Sequence, residues 1–141
     1  VDRKYTTNSY KETQELGKIL AEEIIKNGLK KRAIVLCLDG NLGGGKTTFL
    51  QGFAKGLGIN ENILSPTFVI MKRFGNFYHI DCYRINKPEE ILELGWKEII
   101  KNPKNIVAVE WSEKIKKYLP KDHVKINFNF VDESKREIFF N

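Results

Sequence analysis

Gly40-Asn41-Leu42-Gly43-Gly44-Gly45-Lys46-Thr47 satisfies the pattern G-x-x-x-x-G-K-[ST], and the chemistry of that pattern is the capture of a polyphosphate. The loop must turn its backbone N–H groups inward onto phosphate oxygens. Side chains would block that approach, so Gly43, Gly44 and Gly45 leave the amides bare. Lys46 has the reach to meet terminal phosphates, and the Thr47 hydroxyl is placed to take one position on a metal ion. Thr48 joins them in the first turn. A helix starting at Lys46 aims its positive end at the same anion. Gly40 to Thr48 therefore reads as a magnesium-dependent nucleotide site.

Such a site needs a carboxylate at the end of a neighbouring apolar strand, holding the metal directly or through water. Glu110 follows Ile106-Val107-Ala108-Val109, and Asp81 follows Phe77-Tyr78-His79-Ile80. Burial costs a carboxylate dearly unless a cation or hydrogen bonds compensate it, which favours Glu110 as the metal-side group. The alternative is a strand-end carboxylate facing solvent. Period-two alternation puts His79, Asp81 and Tyr83 on a polar face, with Tyr78, Ile80 and Cys82 on a face fit for a core. Asp81 then either orients an attacking water or pairs structurally with Arg84 or His79. Ser65-Pro66-Thr67-Phe68 follows a loop, and its proline holds the chain extended. Ser65 and Thr67 either sense a terminal phosphate, as a switch loop does, or simply begin a strand. Trp111 either carries the state of the metal to a surface or packs in a core.

The elements that must position these residues are legible in the periodicities. Ser9 and Glu12 have capping-box spacing, Leu16, Ile19, Leu20 and Ile24 recur at helical spacing, and Gly28 is a stop. Tyr5-Thr6-Thr7 reads as a lead into that helix. Ala33 to Leu38 is a continuous apolar run, as in a strand buried on both faces. Lys46 to Leu57 reads as a helix closed by Gly58. Pro66 to Phe74 and Phe77 to Tyr83 read as strands joined by a Gly75-Asn76 hairpin. Pro88-Glu89-Glu90 opens a short helix, Trp96 to Lys101 another, and Ile106 to Val109 a second wholly apolar strand. Val124, Ile126, Phe128 and Phe130 alternate with polar residues, and Glu133-Ser134-Lys135 turns that strand back into Glu137 to Phe140. The expected fold is α/β, a P-loop NTPase-like three-layer sandwich with a mixed, partly antiparallel central sheet. Its 141 residues are expected to form a single domain, 1–141.

No apolar run approaches the roughly 20 residues that cross a bilayer. The segment Val1 to Tyr5 lacks the apolar stretch of a secretory signal, so no membrane partner and a cytoplasmic location are expected. Cys37 and Cys82 lie far apart in apolar segments, which suits buried reduced thiols rather than a zinc site. The net charge of +6 comes from lysines scattered along the chain, with clusters at Lys30-Lys31-Arg32 and Lys114 to Lys121. No nucleic-acid recognition motif accompanies it, and an acidic protein partner would explain it equally well.

Together, Gly40 to Thr47, Ser65-Pro66-Thr67-Phe68, His79-Ile80-Asp81-Cys82-Tyr83-Arg84, Leu94-Gly95 and Glu110-Trp111-Ser112-Glu113 occur in the order and spacing of the TsaE (YjeE) family. Thr13-x-x-Leu16-Gly17 and Leu119-Pro120 fit too, so the chain resembles those proteins over nearly its whole length. Members of that family are bacterial ATPases of tRNA threonylcarbamoyladenosine biosynthesis. The resemblance implies ATP as ligand, Mg²⁺ on Thr47 and Glu110, and switch-like segments at Ser65 to Phe68 and Glu110 to Glu113. It also implies a protein partner, the TsaB–TsaD pair, which modifies the adenosine beside the tRNA anticodon and which TsaE resets. The tRNA would be met indirectly. The family usually carries Asp at the position of Asn41 and Ala at that of Gly44. Loss of the carboxylate removes like-charge repulsion and any proton acceptor there, implying tight ATP binding with slow cleavage.

Three activities compete on these residues. The first is an ATPase, weak alone and stimulated by TsaB–TsaD. The second is a nucleotide-gated binding module with incidental hydrolysis, suggested by Asn41 and the lack of an obvious arginine finger. The third is a small-molecule P-loop kinase, which would need an arginine-rich lid for which the chain has no insertion.

Overall fold

The computed structural model describes residues 3–40, 45–64 and 70–141. Its strands are hydrogen-bonded in the order β1-β7-β6-β2-β5-β4-β3, one mixed sheet in a mixed α/β chain. The contacts group into two compact units, with strands β2 (Ile34–Gly40) and β6 (Val124–Phe130) contributing to both.

The first unit takes in the described residues of 1–28, 39–65 and 126–141. It opens with β1 (Arg3–Thr7), the segment expected only to lead into a helix. That segment pairs antiparallel with β7 (Arg136–Phe140), Tyr5 opposite Ile138, and β7 pairs antiparallel with β6. Helix α1 (Tyr10–Lys26) begins as its capping spacing requires, with Ser9 Oγ accepting the Glu12 N–H at 3.2 Å. The Glu12 carboxylate accepts the Asn8 N–H at 2.8 Å. Gly28, in the left-handed region at φ 76°, lies just beyond its end.

Helix α1 packs on α2 (Lys46–Gly56), and Leu16, Leu20 and Ile24 of its apolar stripe are half-buried. Its buried residues are Thr13, Gly17 and Ala21, while Ile19 is exposed. The two backbones approach so closely that a methyl group on Gly17 would lie 2.1 Å from the Phe49 carbonyl oxygen. On α2 the matching positions are Gly52 and Gly56, where a methyl group would lie 1.8 Å from Gln14 O and 2.7 Å from Ala21 Cβ respectively. Helix propensity disfavours glycine at these sites; the interhelical approach demands it. Beneath, Phe49 meets Phe128 edge-on at 5.3 Å and Phe53 in a stack at 6.4 Å.

The second unit takes in the described residues of 29–38 and 66–125. Here β2 runs parallel to β5 (Ile106–Glu110), and β5 parallel to β4 (Phe77–Asp81). The turn at Gly75-Asn76 joins β4 to β3 (Met71–Phe74), as its dipeptide signals. Residues 66–69 of the expected first hairpin strand lie outside the described residues. One face of these strands presents Val35, Cys37, Tyr78, Ile80, Val107 and Val109 to a core completed by Cys82, Ile85, Ile91, Trp96, Ile99 and Ile115. Both thiols are buried and unoxidised. Pro88–Leu94 forms a 3₁₀ turn, its entry fixed by the Glu90 carboxylate, which accepts the Asn86 and Lys87 N–H groups at 2.8 and 2.6 Å. Helix α3 (Trp96–Lys101) follows, and Ser112–Tyr118 is a further 3₁₀ segment without a counterpart in the sequence-based expectations.

Candidate functional site

The buried run of β2 carries the chain to Asp39 and Gly40, and α2 starts again at Lys46. Gly40 has φ 144°, and a methyl group there would sit 2.4 Å from the Phe128 carbonyl oxygen, so only glycine fits. Asn41, Leu42, Gly43 and Gly44 lie outside the described residues. Gly45, at φ 101°, caps α2 in the left-handed region with no side chain bonded to the first turn, and Phe49 N–H closes the first helical bond on its carbonyl at 2.8 Å. The Lys46 ammonium turns back to donate to the Gly40 carbonyl at 2.9 Å. Thr47 and Thr48 follow, half-buried, in the first turn of α2. A helix entered through glycine, with a lysine folded back over its own loop, can hold an anion through N–H groups, an ammonium and the helix dipole together.

In the second unit Leu38, Glu110 and Asp81 occupy one register across β2, β5 and β4. Both carboxylates thus stand at the same end of these three strands. Glu110 is buried at 5% exposure, which sets aside the alternative of a strand-end carboxylate facing solvent. Its compensation is a hydrogen bond the sequence reading did not find: His79 Nε2 lies 2.7 Å from Glu110 Oε2. His79 is 0% exposed, so the polar face expected on this strand is buried at this residue. The alternation itself is right, since His79, Asp81, Ala108 and Glu110 share one side of the pleat. On that side His79 and Glu110 are buried and bonded to each other. The Nδ1 of His79 is buried with no hydrogen-bond partner among the described residues.

Asp81 Oδ1 accepts the Tyr83 N–H at 3.0 Å, so this carboxylate shapes the turn leaving β4. Of the two structural partners expected for Asp81, Arg84 and His79, the second is engaged by Glu110. Trp111 lies at the surface rather than in the core: it is 41% exposed, and the tryptophan that packs in the core is Trp96. Its backbone is the one non-glycine in the left-handed region among the described residues, at φ 58°. Its ring meets Tyr83 at 5.2 Å, and Lys114 donates to the Tyr83 carbonyl at 2.6 Å. Ser65 and Thr67 lie outside the described residues.

Among the described residues no group of three or more His, Cys, Asp or Glu converges on a metal position. Magnesium does not ask for one, because it keeps several waters and takes one or two protein oxygens together with phosphate oxygens. The Thr47 hydroxyl and the Glu110 carboxylate are hard oxygen donors of the right kind. No helix among the described residues is long and apolar enough to cross a membrane.

Comparison with known proteins agrees over almost the full chain. Residues 7–138 match the family model described as threonylcarbamoyl adenosine biosynthesis protein TsaE. A tRNA threonylcarbamoyladenosine biosynthesis protein TsaE of Rickettsia typhi is 42% identical over 137 residues, which cover 94% of this chain and 90% of the relative. The protein of the same name from Bacillus subtilis is 36% identical over 141 residues, covering 97% and 84%. The crystal structure of Bacillus subtilis YdiB superposes with a TM-score of 0.75 at 33% identity, covering 99% of this chain and 84% of that one. The chain belongs to the TsaE family, whose role is in the biosynthesis of threonylcarbamoyladenosine in tRNA.

Proposed function

We propose that the chain binds ATP with Mg²⁺ in the loop from Gly40 to Thr48 and hydrolyses it slowly, in the service of the TsaB–TsaD pair that modifies tRNA. The observation that carries this reading is the Lys46 ammonium folded onto the Gly40 carbonyl at the mouth of a glycine-capped helix. Phosphate oxygens would replace that carbonyl as the acceptor for Lys46, while N–H groups from Gly43 to Thr48 surround the anion. Thr47 and Glu110 would hold the metal, Glu110 through a coordinated water, and Ser65 and Thr67 would meet the terminal phosphate. Bound magnesium neutralises charge on the β- and γ-phosphates. His79 fixes the Glu110 carboxylate in one orientation, and Asp81, beside it in register, orients the attacking water while one of its oxygens holds the turn at Tyr83. Family membership supports the pathway, and the exposed Tyr83–Trp111 pair next to Glu110 supports a partner that reads the state of the site.

Calorimetric titration tests this directly. Lys46→Ala is expected to abolish ATP binding while the protein stays folded. ATP turnover by the unaltered chain is expected to rise at least about tenfold when TsaB–TsaD is added. Rapid turnover that is indifferent to the pair, with no complex formed, refutes the assignment. The binding-module reading gains from the engagement of Glu110 by His79. Glu110→Gln separates the two, because an uncleaving variant that still sustains repeated rounds of modification would favour the module.

A further inference from the structure

Within the second unit, His79 and Glu110 are diagonal neighbours on β4 and β5, since His79 stands opposite Ala108 and Asp81 opposite Glu110. Ala108 carries only a methyl group, which leaves the imidazole room to reach along the sheet to the carboxylate. Both side chains are buried, so water does not compete for their contact. The 2.7 Å separation of Nε2 and Oε2 also sets the tautomer. A proton on Nδ1 alone would aim the Nε2 lone pair at a carboxylate oxygen. An imidazolium would bury a second N–H, at Nδ1, which has no partner among the described residues. The neutral ring with Nε2–H donating does neither.

We infer that His79 makes Glu110 a one-oxygen carboxylate and thereby fits it to magnesium and against calcium. The inference rests on the reading of Glu110 as the metal-side group and states what His79 adds to it. With Oε2 holding the Nε2–H, at most Oε1 is left to meet a cation or a water on it. Asp81, beside Glu110 in register, is held in the same manner, because its Oδ1 accepts the Tyr83 N–H at 3.0 Å. Neither carboxylate gives two oxygens to one cation without breaking a hydrogen bond. Magnesium takes single oxygens at about 2.0–2.1 Å in an octahedron and keeps several waters. Calcium gathers about 6–8 oxygens and often takes both from one carboxylate. One acceptor oxygen therefore satisfies magnesium, whereas calcium forgoes a ligand or displaces the His79 bond. His79 is a positioning residue, acting on the cation only through Glu110.

Calorimetric titration of ATP, fully loaded with Mg²⁺ or with Ca²⁺, reads this preference as a ratio of two affinities and needs no turnover. The unaltered chain is expected to bind the magnesium form at least about tenfold more tightly than the calcium form. His79→Leu, which releases Oε2, is expected to narrow that ratio about tenfold, the scale on which partners of metal ligands act. His79→Gln keeps a side-chain N–H within reach of the carboxylate and is expected to retain the ratio. A general loss of packing would weaken both forms alike and leave the ratio unmoved. An unmoved ratio in His79→Leu therefore overturns the inference. Equal affinities in the unaltered chain overturn it too, and that measurement needs no variant to fold. If Glu110→Gln binds both forms as the unaltered chain does, the metal role of Glu110 fails and takes the inference with it. If ATP binds with neither cation, the phosphate-loop reading itself has failed.

Discussion

Replacement of Gly52 by alanine tests whether the close crossing of α1 and α2 is obligatory. In an isolated helix this change would stabilise, by about 1 kcal/mol, because alanine is the better helix former. Here the new methyl carbon would stand 1.8 Å from Gln14 O and 2.5 Å from Gln14 C. Ordinary non-bonded contact needs a separation roughly 1.5 Å larger. The obstacle is backbone, so no rotamer change relieves it, and α1 must retreat as a body. That retreat would loosen the contacts of Gly17 with Phe49 and of Ala21 with Gly56 as well. Overpacking a tight interior costs typically about 1–3 kcal/mol, and an unyielding obstacle puts this site at the upper end. Net of the propensity gain, a loss of about 2 kcal/mol is expected, or roughly 4–10 °C in Tm for a chain of this size. Urea unfolding followed by circular dichroism should show a lower midpoint with an unchanged slope. Stability equal to or above that of the unaltered chain would refute the claim that glycine is required at this crossing.

His79→Ala leaves the buried Glu110 carboxylate without this hydrogen bond and is expected to destabilise the chain by about 1–3 kcal/mol. Adding Glu110→Gln should return part of that loss in a double-mutant cycle of urea midpoints, and purely additive effects would discard the pairing as the cause. Burial, then the neighbouring charge of Asp81, pushes the Cys82 thiol up to about 12 from a usual value of 9.0. The folded thiol therefore keeps its proton where the unfolded one loses it. This contribution to stability is complete below pH 9.0 and declines as pH rises toward 12. Cys82→Ala should flatten the alkaline fall of the urea midpoint, and a thiol reagent at pH 8.5 should reach Cys82 only at the rate of unfolding; rapid labelling of the native protein contradicts this. Ser9→Ala loses the cap on α1 and should cost about 1 kcal/mol by the same unfolding assay; no change would show that the bond to Glu12 N–H contributes nothing.

The parts of the fold visible in the sequence are those whose cause is local. Gly45 and Lys46 announce a phosphate-type loop because the backbone needs glycine there, and Ile106 to Val109 announces a buried strand because both its faces meet apolar neighbours. β1 stayed hidden because Arg3 to Thr6 are exposed and their reason for being a strand is β7, at the far end of the chain. The close crossing of α1 on α2 was not foreseen because periodicity weighs Leu16, Ile19 and Leu20, whereas the nearest approach is at Gly17, which carries little hydrophobic signal. His79 was underrated for the same kind of reason. Its partner lies 31 residues away, and only the register of β4 against β5 brings the two side chains together. For the candidate site, residue types and spacing singled out Glu110 and Lys46 as candidates, but what each touches is a property of the folded chain.

The chain has two tryptophans, and their surroundings differ enough to make them separable optical probes. Trp96 is enclosed, its indole N–H given to the Tyr118 carbonyl at 3.0 Å, so its emission should be blue-shifted and sheltered from acrylamide. Trp111 is partly open to water, has an ammonium 6.0 Å from its ring centre, and is joined by one peptide bond to Glu110. Any event that shifts that carboxylate should register in the red, quenchable part of the spectrum, with the other indole as a built-in reference. The protein thus carries its own fluorimeter, requiring neither dye nor label.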